Sequence, residues 1–297
     1  MNSNNNFIKI KLPLKTHDPD LLSWALINSG AAGTQVVQED GSNYIIAFLP
    51  EESDQPTCLC NTNNVFSVFL EKLSSNKRFI PDLDKLLLEM QTGKIAGENW
   101  KESWKQGIKP IATAGFYLLP SWNQNPDHIP KGKIPLWVDH AQAFGTGMHS
   151  TTRLCLDLLV WLRDHDCHPE KILDIGCGTG ILGIAAQKIW NNSSLFFVDN
   201  DKEALQVTKR VLQLNGLENT NIYQVFPKNE SDFDLILANI STPVLVELKS
   251  QILSRVQKEG KLLFSGVNTQ TRQSFEQAYG SNYIIKRSRK EWFGYLY

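Results

Sequence analysis

The stretch Lys171–Gly183, "KILDIGCGTGILG", decides the fold. Its first residues read as a buried strand and "GILGIAAQKIW" as a helix, so Gly176, Gly178 and Gly180 lie directly between strand and helix. Glycine lets the backbone turn sharply and approach a ligand, while the free amides at a helix N-terminus offer it hydrogen bonds. Outward from this turn the chain alternates. "TTRLCLDLLVWLRD" precedes it as a helix, and "SLFFVD", "KEALQVTKRVLQLNG", "NIYQV", "FDLILANI", "PVLVELKSQILSRV" and "GKLLFSGV" follow as strand, helix, strand, strand, helix and strand. Strands that are apolar throughout imply burial on both faces, as in a parallel sheet covered by helices. The pattern predicts a doubly wound, mostly parallel, Rossmann-like α/β domain over residues 113–297.

The N-terminal third has a different texture. In "FIKIKLPL", Ile8, Ile10, Leu12 and Leu14 fall on one side of a half-buried strand. "HDPDLLSWALINSG" follows as a helix with Asp18 as N-cap, Pro19 at the first helical position and Gly30 at the stop. Strand-like runs at 34–38 and 44–49 and helical spacing at 64–73 and 82–90 complete a smaller α+β domain over residues 1–90. Residues 91–112 read as a linker whose Trp100 and Trp104, four apart, share one helix face.

Composition narrows the function. The 297 residues suit two domains, and 30 basic against 31 acidic residues give a net charge of -1. That balance creates no field to recruit a nucleic-acid backbone, so no direct nucleic-acid binding is expected. No apolar run reaches a membrane span's length and the N-terminus is polar, so the expectation is a soluble, cytoplasmic protein, monomeric by default. Five cysteines without an export signal suggest reduced thiols. Neither Cys58 with Cys60 nor His165, Cys167 and His168 has a recognisable zinc spacing, so no metal is expected.

The glycine turn alone leaves the ligand open. Gly178, Gly180 and Gly183 satisfy G-x-G-x-x-G, and Asp199 lies 19 residues beyond Gly180, near the distance of the carboxylate that binds an NAD ribose. Three residues favour S-adenosylmethionine. Asp174, closing the strand before the glycines, suits a cationic ligand better than a pyrophosphate. Asp199, after "LFFV", can accept from both ribose hydroxyls. Asn239 ends "ILAN" with an amide carbonyl able to accept from an amine nucleophile. All three fall at carboxyl ends of strands, where open α/β sheets bind ligands.

These residues carry a family resemblance. Asp174-Ile175-Gly176-Cys177-Gly178-Thr179-Gly180, with the acid at Asp199, resembles the class I S-adenosylmethionine-dependent methyltransferases. Within them, "AFGTGMHSTT" (143–152) resembles the A-F-G-T-G-x-H-x-T-T signature of the ribosomal protein L11 methyltransferases, the PrmA family. "ENWKESWKQGIKP", "DIGCGTGILGIAA", "ANIS" and "KEWFGY" resemble further motifs of that family, in its order, from about residue 95 to 297. Where the family usually has proline after the aspartate that opens the loop, this chain has His140.

The resemblance implies a methyltransferase that modifies amino groups of ribosomal protein L11, lysine side chains and an N-terminal amine, with the N-terminal domain docking that protein. It implies S-adenosylmethionine as cofactor, with Thr152, Gly176, Asp199 and Asn239 on the family's cofactor-binding positions. Gly178, Asp174, Phe144, Gly145 and Thr146 are expected to join them. Methyl transfer needs alignment and an uncharged amine rather than a metal or a covalent nucleophile. Asn239 is the candidate at the reacting amine. For His149, proton acceptance stands beside a structural role in holding the loop. The alternatives are a methyltransferase for another protein amine or a small molecule, a non-catalytic S-adenosylmethionine-binding module, and, more distantly, an NAD-dependent oxidoreductase.

Overall fold

The computed structural model describes the chain apart from residues 1–6, 16, 18, 32, 51–61, 76–79, 81, 96–109, 114, 124–127, 140–148 and 219. The expected cap Asp18, the paired Trp100 and Trp104, and Cys58 and Cys60 lie outside the described residues. The described chain forms two compact units, one ending at Ile95 and one starting at Pro110.

In the first unit, strands β1 (Phe7–Pro13), β2 (Gly33–Glu39), β3 (Ser42–Pro50) and β4 (Gln91–Ile95) form an antiparallel sheet in the order β2-β3-β1-β4. The period-2 alternation of β1 sends Ile10 and Leu12 into a core with α1 (Pro19–Asn28), α2 (Thr62–Ser75) and α3 (Leu83–Leu88). Ile10 pairs Ala47 and Leu12 pairs Ile45, so the strand neighbours supply the same core. The predicted linker starts too early: residues 91–95 pair with β1 as strand β4. Gln91–Lys94 are exposed on this edge, so no apolar alternation marked them as a strand. At the stretch's other end, Ile111–Ala112 form β5, which belongs to the second unit.

In the second unit β5, β6 (Phe116–Pro120) and β7 (Ile134–Val138) make a three-stranded sheet, with β6 and β7 parallel. The large sheet contains β8 (Lys171–Ile175), β9 (Ser194–Val198), β10 (Asn221–Tyr223), β11 (Phe233–Asn239), β12 (Val256–Asn268), β13 (Ile285–Arg289) and β14 (Trp292–Leu296). Its order is β10-β9-β8-β11-β12-β14-β13, and β14 alone runs against the rest. The doubly wound, mostly parallel sheet is as the sequence predicted. Ile172 enters the core on one face while Leu173 and Ile175 enter the core on the other, so both faces are buried.

The helices of this unit are α4 (Ser150–Asp164), α5 (Ile181–Ile189), α6 (Lys202–Leu214), α7 (Thr242–Glu247), α8 (Lys249–Leu253) and α9 (Arg272–Tyr279). The single helix expected over "PVLVELKSQILSRV" is divided at Leu248, whose ψ of -1° departs from helical geometry. Among the described residues, no helix is long and apolar enough to cross a membrane.

Strand order reverses between β8, which continues toward β9 and β10, and β11, which continues toward β12. The carboxyl ends of these two strands therefore border the crevice in which open α/β sheets hold ligands.

Candidate functional site

The loop after β8 is shaped by three left-handed glycines, with φ of 62° at Gly176, 56° at Gly178 and 77° at Gly180. Residues with a side chain are strained in that conformation, so the spacing of the glycines is the geometry of the turn. The Gly176 amide donates to Val198 O at 2.7 Å and the Gly180 amide to Cys177 O at 2.7 Å. Gly183 lies in the first turn of α5, where an added Cβ would come within 2.5 Å of the Phe197 ring. Helix and sheet thus approach closely behind the loop.

Two carboxylates brace the loop and the helix that follows it. Asp174 is buried, and its Oδ2 accepts from the Gly183 amide at 2.9 Å. Asp199, directly after β9, accepts from the Gly178 amide through Oδ2 at 2.9 Å and from the Asp201 amide through Oδ1 at 3.0 Å. Each carboxylate oxygen has a second lone pair, which leaves Asp199 acceptor capacity toward a ligand. Thr208 completes the brace, donating from α6 to Gly178 O at 2.7 Å. Local periodicity gave no signal for Thr208, because its partner lies thirty positions away.

Burial pushes the Asp174 carboxyl up to about 8, and the nearby charge of Asp199 pushes the same way, while the Gly183 amide opposes both. Burial and the neighbouring carboxylate of Asp174 also raise the thiols of Cys155 and Cys177, which therefore stay protonated. A cation bound beside Asp174 would supply the charge that the protein interior withholds.

The other side of the crevice is built from β11 and α4. Pairing sets Ala238 opposite Ile175 of β8 and Asn239 opposite Ser265 of β12. Asn239 Nδ2 donates to Thr152 Oγ1 at 3.5 Å, and Thr152 is itself fully buried in the first turn of α4. Asn239 Oδ1 is buried and has no hydrogen-bond partner among the described residues. Such an orphaned acceptor is costly unless a ligand completes it.

His149 is the N-cap of α4, with Nδ1 accepting from the Thr151 amide at 3.2 Å. Its ring meets Trp292 edge-on, with 4.9 Å between centroids. Trp292 Nε1 is buried and likewise has no hydrogen-bond partner among the described residues. The sequence offered Trp292 only as part of the "KEWFGY" motif, not as a candidate residue.

The structure thus brings Asp174, Gly176, Gly178 and Asp199 to one loop, and Thr152 to Asn239. Phe144, Gly145 and Thr146 lie outside the described residues. The strand that leads to them is anchored, since Asn215 Oδ1 accepts from the Trp137 amide at 3.0 Å while its Nδ2 donates to Trp137 O at 2.8 Å.

A family model described as "Ribosomal protein L11 methyltransferase (PrmA)" matches residues 6–295. The chain belongs to this family.

Relatives bearing the name ribosomal protein L11 methyltransferase include one from Helicobacter pylori (strain HPAG1), 36% identical over 204 residues, which cover 67% of this chain and 60% of that relative. One from Marinomonas sp. (strain MWYL1) is 32% identical over 210 residues, 69% of each protein. The crystal structure of ribosomal protein L11 methylase from Lactobacillus delbrueckii subsp. bulgaricus superposes with a TM-score of 0.58 at 26% identity, covering 64% of this chain and 97% of that one. The chain accordingly has the class I methyltransferase fold, and of the candidate site residues Asp174 and Gly176 fall at the end of β8 and Asn239 at the end of β11, where the strand order reverses.

Proposed function

We propose that this protein uses S-adenosylmethionine to methylate amino groups of ribosomal protein L11, lysine side chains and an N-terminal amine, in the cytoplasm. The observation that carries the reading is the buried Oδ1 of Asn239, without a hydrogen-bond partner among the described residues and one strand away from the glycine loop at the reversal of strand order. Family membership supports the substrate.

The residues present fit the cofactor. Gly176 and Gly178 bring bare backbone to the crevice, and Asp199 has acceptor capacity for ribose hydroxyls. A cation bound beside Asp174 would favour its ionised form, which burial otherwise opposes, and Thr152 fixes the wall through Asn239. Phe144, Gly145 and Thr146 are assigned to the same site on their sequence motif. When bound, S-adenosylmethionine supplies a methyl group on a sulfonium, an electrophile that needs only correct alignment with a nucleophile.

Asn239 Oδ1 accepts an N–H of the incoming amine and thereby points the nitrogen lone pair. A lysine amine, whose ordinary pKa is about 10.4, must arrive neutral, and desolvation in the crevice favours that form. The surplus proton leaves to water. His149 Nδ1 is engaged with the first turn of α4, so we assign His149 to holding the loop and not to taking that proton. The N-terminal unit, with its separate core, docks the substrate protein.

Incubation of the purified protein with labelled S-adenosylmethionine and unmethylated ribosomal protein L11, followed by mass spectrometry of L11, tests the proposal. Label on lysine or N-terminal amines is expected. Cofactor binding without any label on L11 would refute the substrate assignment.

A further inference from the structure

Asn239 has a carboxamide to aim, yet it stands at the end of a strand with only Ile240 and Ser241 between it and α7. Its neighbour Ile240 shows how the aim is held. On one side lies Gly176, where an added Cβ would come within 2.2 Å of Ile240 Cγ2. On the other lies Gly266 of β12, where an added Cβ would come within 2.1 Å of the Ile240 carbonyl oxygen and 2.6 Å of its carbonyl carbon. Ile240, the residue after Asn239, is thus held between two glycines, its side chain against Gly176 and its backbone against Gly266, each glycine at positive φ, 62° and 81°.

Gly266 also occupies a β-bulge. Phe264 pairs with Tyr295 and Val267 with Phe293, so Ser265 and Gly266 stand on β12 where β14 has Gly294 alone. Ser265 Oγ donates to Phe293 O at 2.9 Å and pins the bulge. A bulge bends its strand and redirects the residues beyond it. Here the bulge makes room for the Ile240 peptide on one edge of β12, and on the other it sets the register in which Asn268 faces Trp292, the ring that meets His149.

We propose that Gly266 is a positioning residue for methyl transfer: its bulge clamps the Ile240 peptide and so fixes the direction of the Asn239 carboxamide. The proposal rests on the assignment of Asn239 to the reacting amine. A side chain at Gly266 meets backbone atoms, which no rotamer change can move aside, and it also requires a conformation that L-residues avoid. Its effect therefore passes to Asn239 through the peptide itself.

The test is a double-mutant cycle of Gly266→Ala and Asn239→Ala, read as kcat for methylation of ribosomal protein L11 and as the affinity for S-adenosylhomocysteine by calorimetry. Each single variant is expected to lower kcat by at least about tenfold, Gly266→Ala with cofactor affinity within about threefold, and Gly266→Ala should add little once Asn239 is gone. Ile240→Ala, which loosens the same clamp without straining β12, runs through the same cycle and keeps the test intact if Gly266→Ala does not fold. Losses that multiply in the double variants, or a cofactor affinity that falls in Gly266→Ala as far as kcat, would overturn the positioning role. If Asn239→Ala alone leaves kcat unchanged, the assignment of Asn239 fails first and takes the inference with it.

Discussion

Asp174 is a single buried acid whose carboxylate accepts from the Gly183 amide. Because its folded pKa is raised to about 8 from 3.8, the protonated form is the one the fold prefers. The stability it contributes is fully present below the unfolded value and is lost as pH rises through the folded one. The loss therefore falls between the unfolded value of 3.8 and the folded one of about 8. Asp174→Asn keeps an acceptor for Gly183 and removes the titration. Denaturant unfolding of the cofactor-free protein between pH 5 and 8 is expected to show a fall in wild-type stability that is flatter in this variant; parallel curves would contradict it. His149 gives a second test at the same scale. As a cap, it is replaceable by asparagine, a strong N-cap, whereas His149→Ala should cost about 1 kcal/mol. If His149→Asn keeps methyl transfer near the wild-type rate while His149→Ala loses stability, the cap is its role; a loss of about 10²-fold or more in both, of the order general bases supply, would make it a base.

Among the elements, α5 shows how tightly the site is tied to the sheet. Gly183→Ala would bring a Cβ within 2.5 Å of the Phe197 ring and 3.2 Å of Asp174 Oδ2. Such overpacking costs about 1–3 kcal/mol, and Phe197→Leu in the same chain should recover part of it, as read from unfolding midpoints. No recovery would mean that the helix, not the ring, gives way. This contact also marks what the sequence made legible. Strands such as "KILDI" and "FDLILAN" are apolar enough on both faces to announce a parallel sheet, and the glycines after β8 announce their own left-handed turns. Elements without that contrast stayed hidden. β13, "IKRSR", is a charged edge strand, and α9 buries only Phe275 fully, so neither carries a clear period. In the site, Asp174, Thr152, Asp199 and Asn239 stood at readable positions beside strand and helix ends. Gly266, Thr208 and Trp292 did not, because each matters through a partner distant in sequence that only the folded sheet brings near.

For the whole molecule, the separation into two units has a functional consequence. The first unit has its own core, built around Ile10, Leu26, Ile45 and Phe69. The second has two cores, one on each face of its large sheet, and contains Asp174, Gly176, Asp199, Asn239 and Thr152. A unit with a complete core is expected to fold alone. Cofactor recognition and substrate docking should then separate when the chain is cut between them. A protein beginning at Pro110 is expected to unfold cooperatively and to bind S-adenosylhomocysteine within about threefold of the full chain, since its site residues all remain. The same protein should methylate ribosomal protein L11 at least about tenfold less efficiently, with the loss in KM and not in kcat, because docking contributes binding that is equal in ground and transition states. Calorimetry with S-adenosylhomocysteine and steady-state methylation of L11 by both proteins provide the measurements. Unchanged KM for L11 in the shortened protein would show that the N-terminal unit does not dock the substrate, while a lost cofactor affinity would show that it contributes to the methyl-donor site itself.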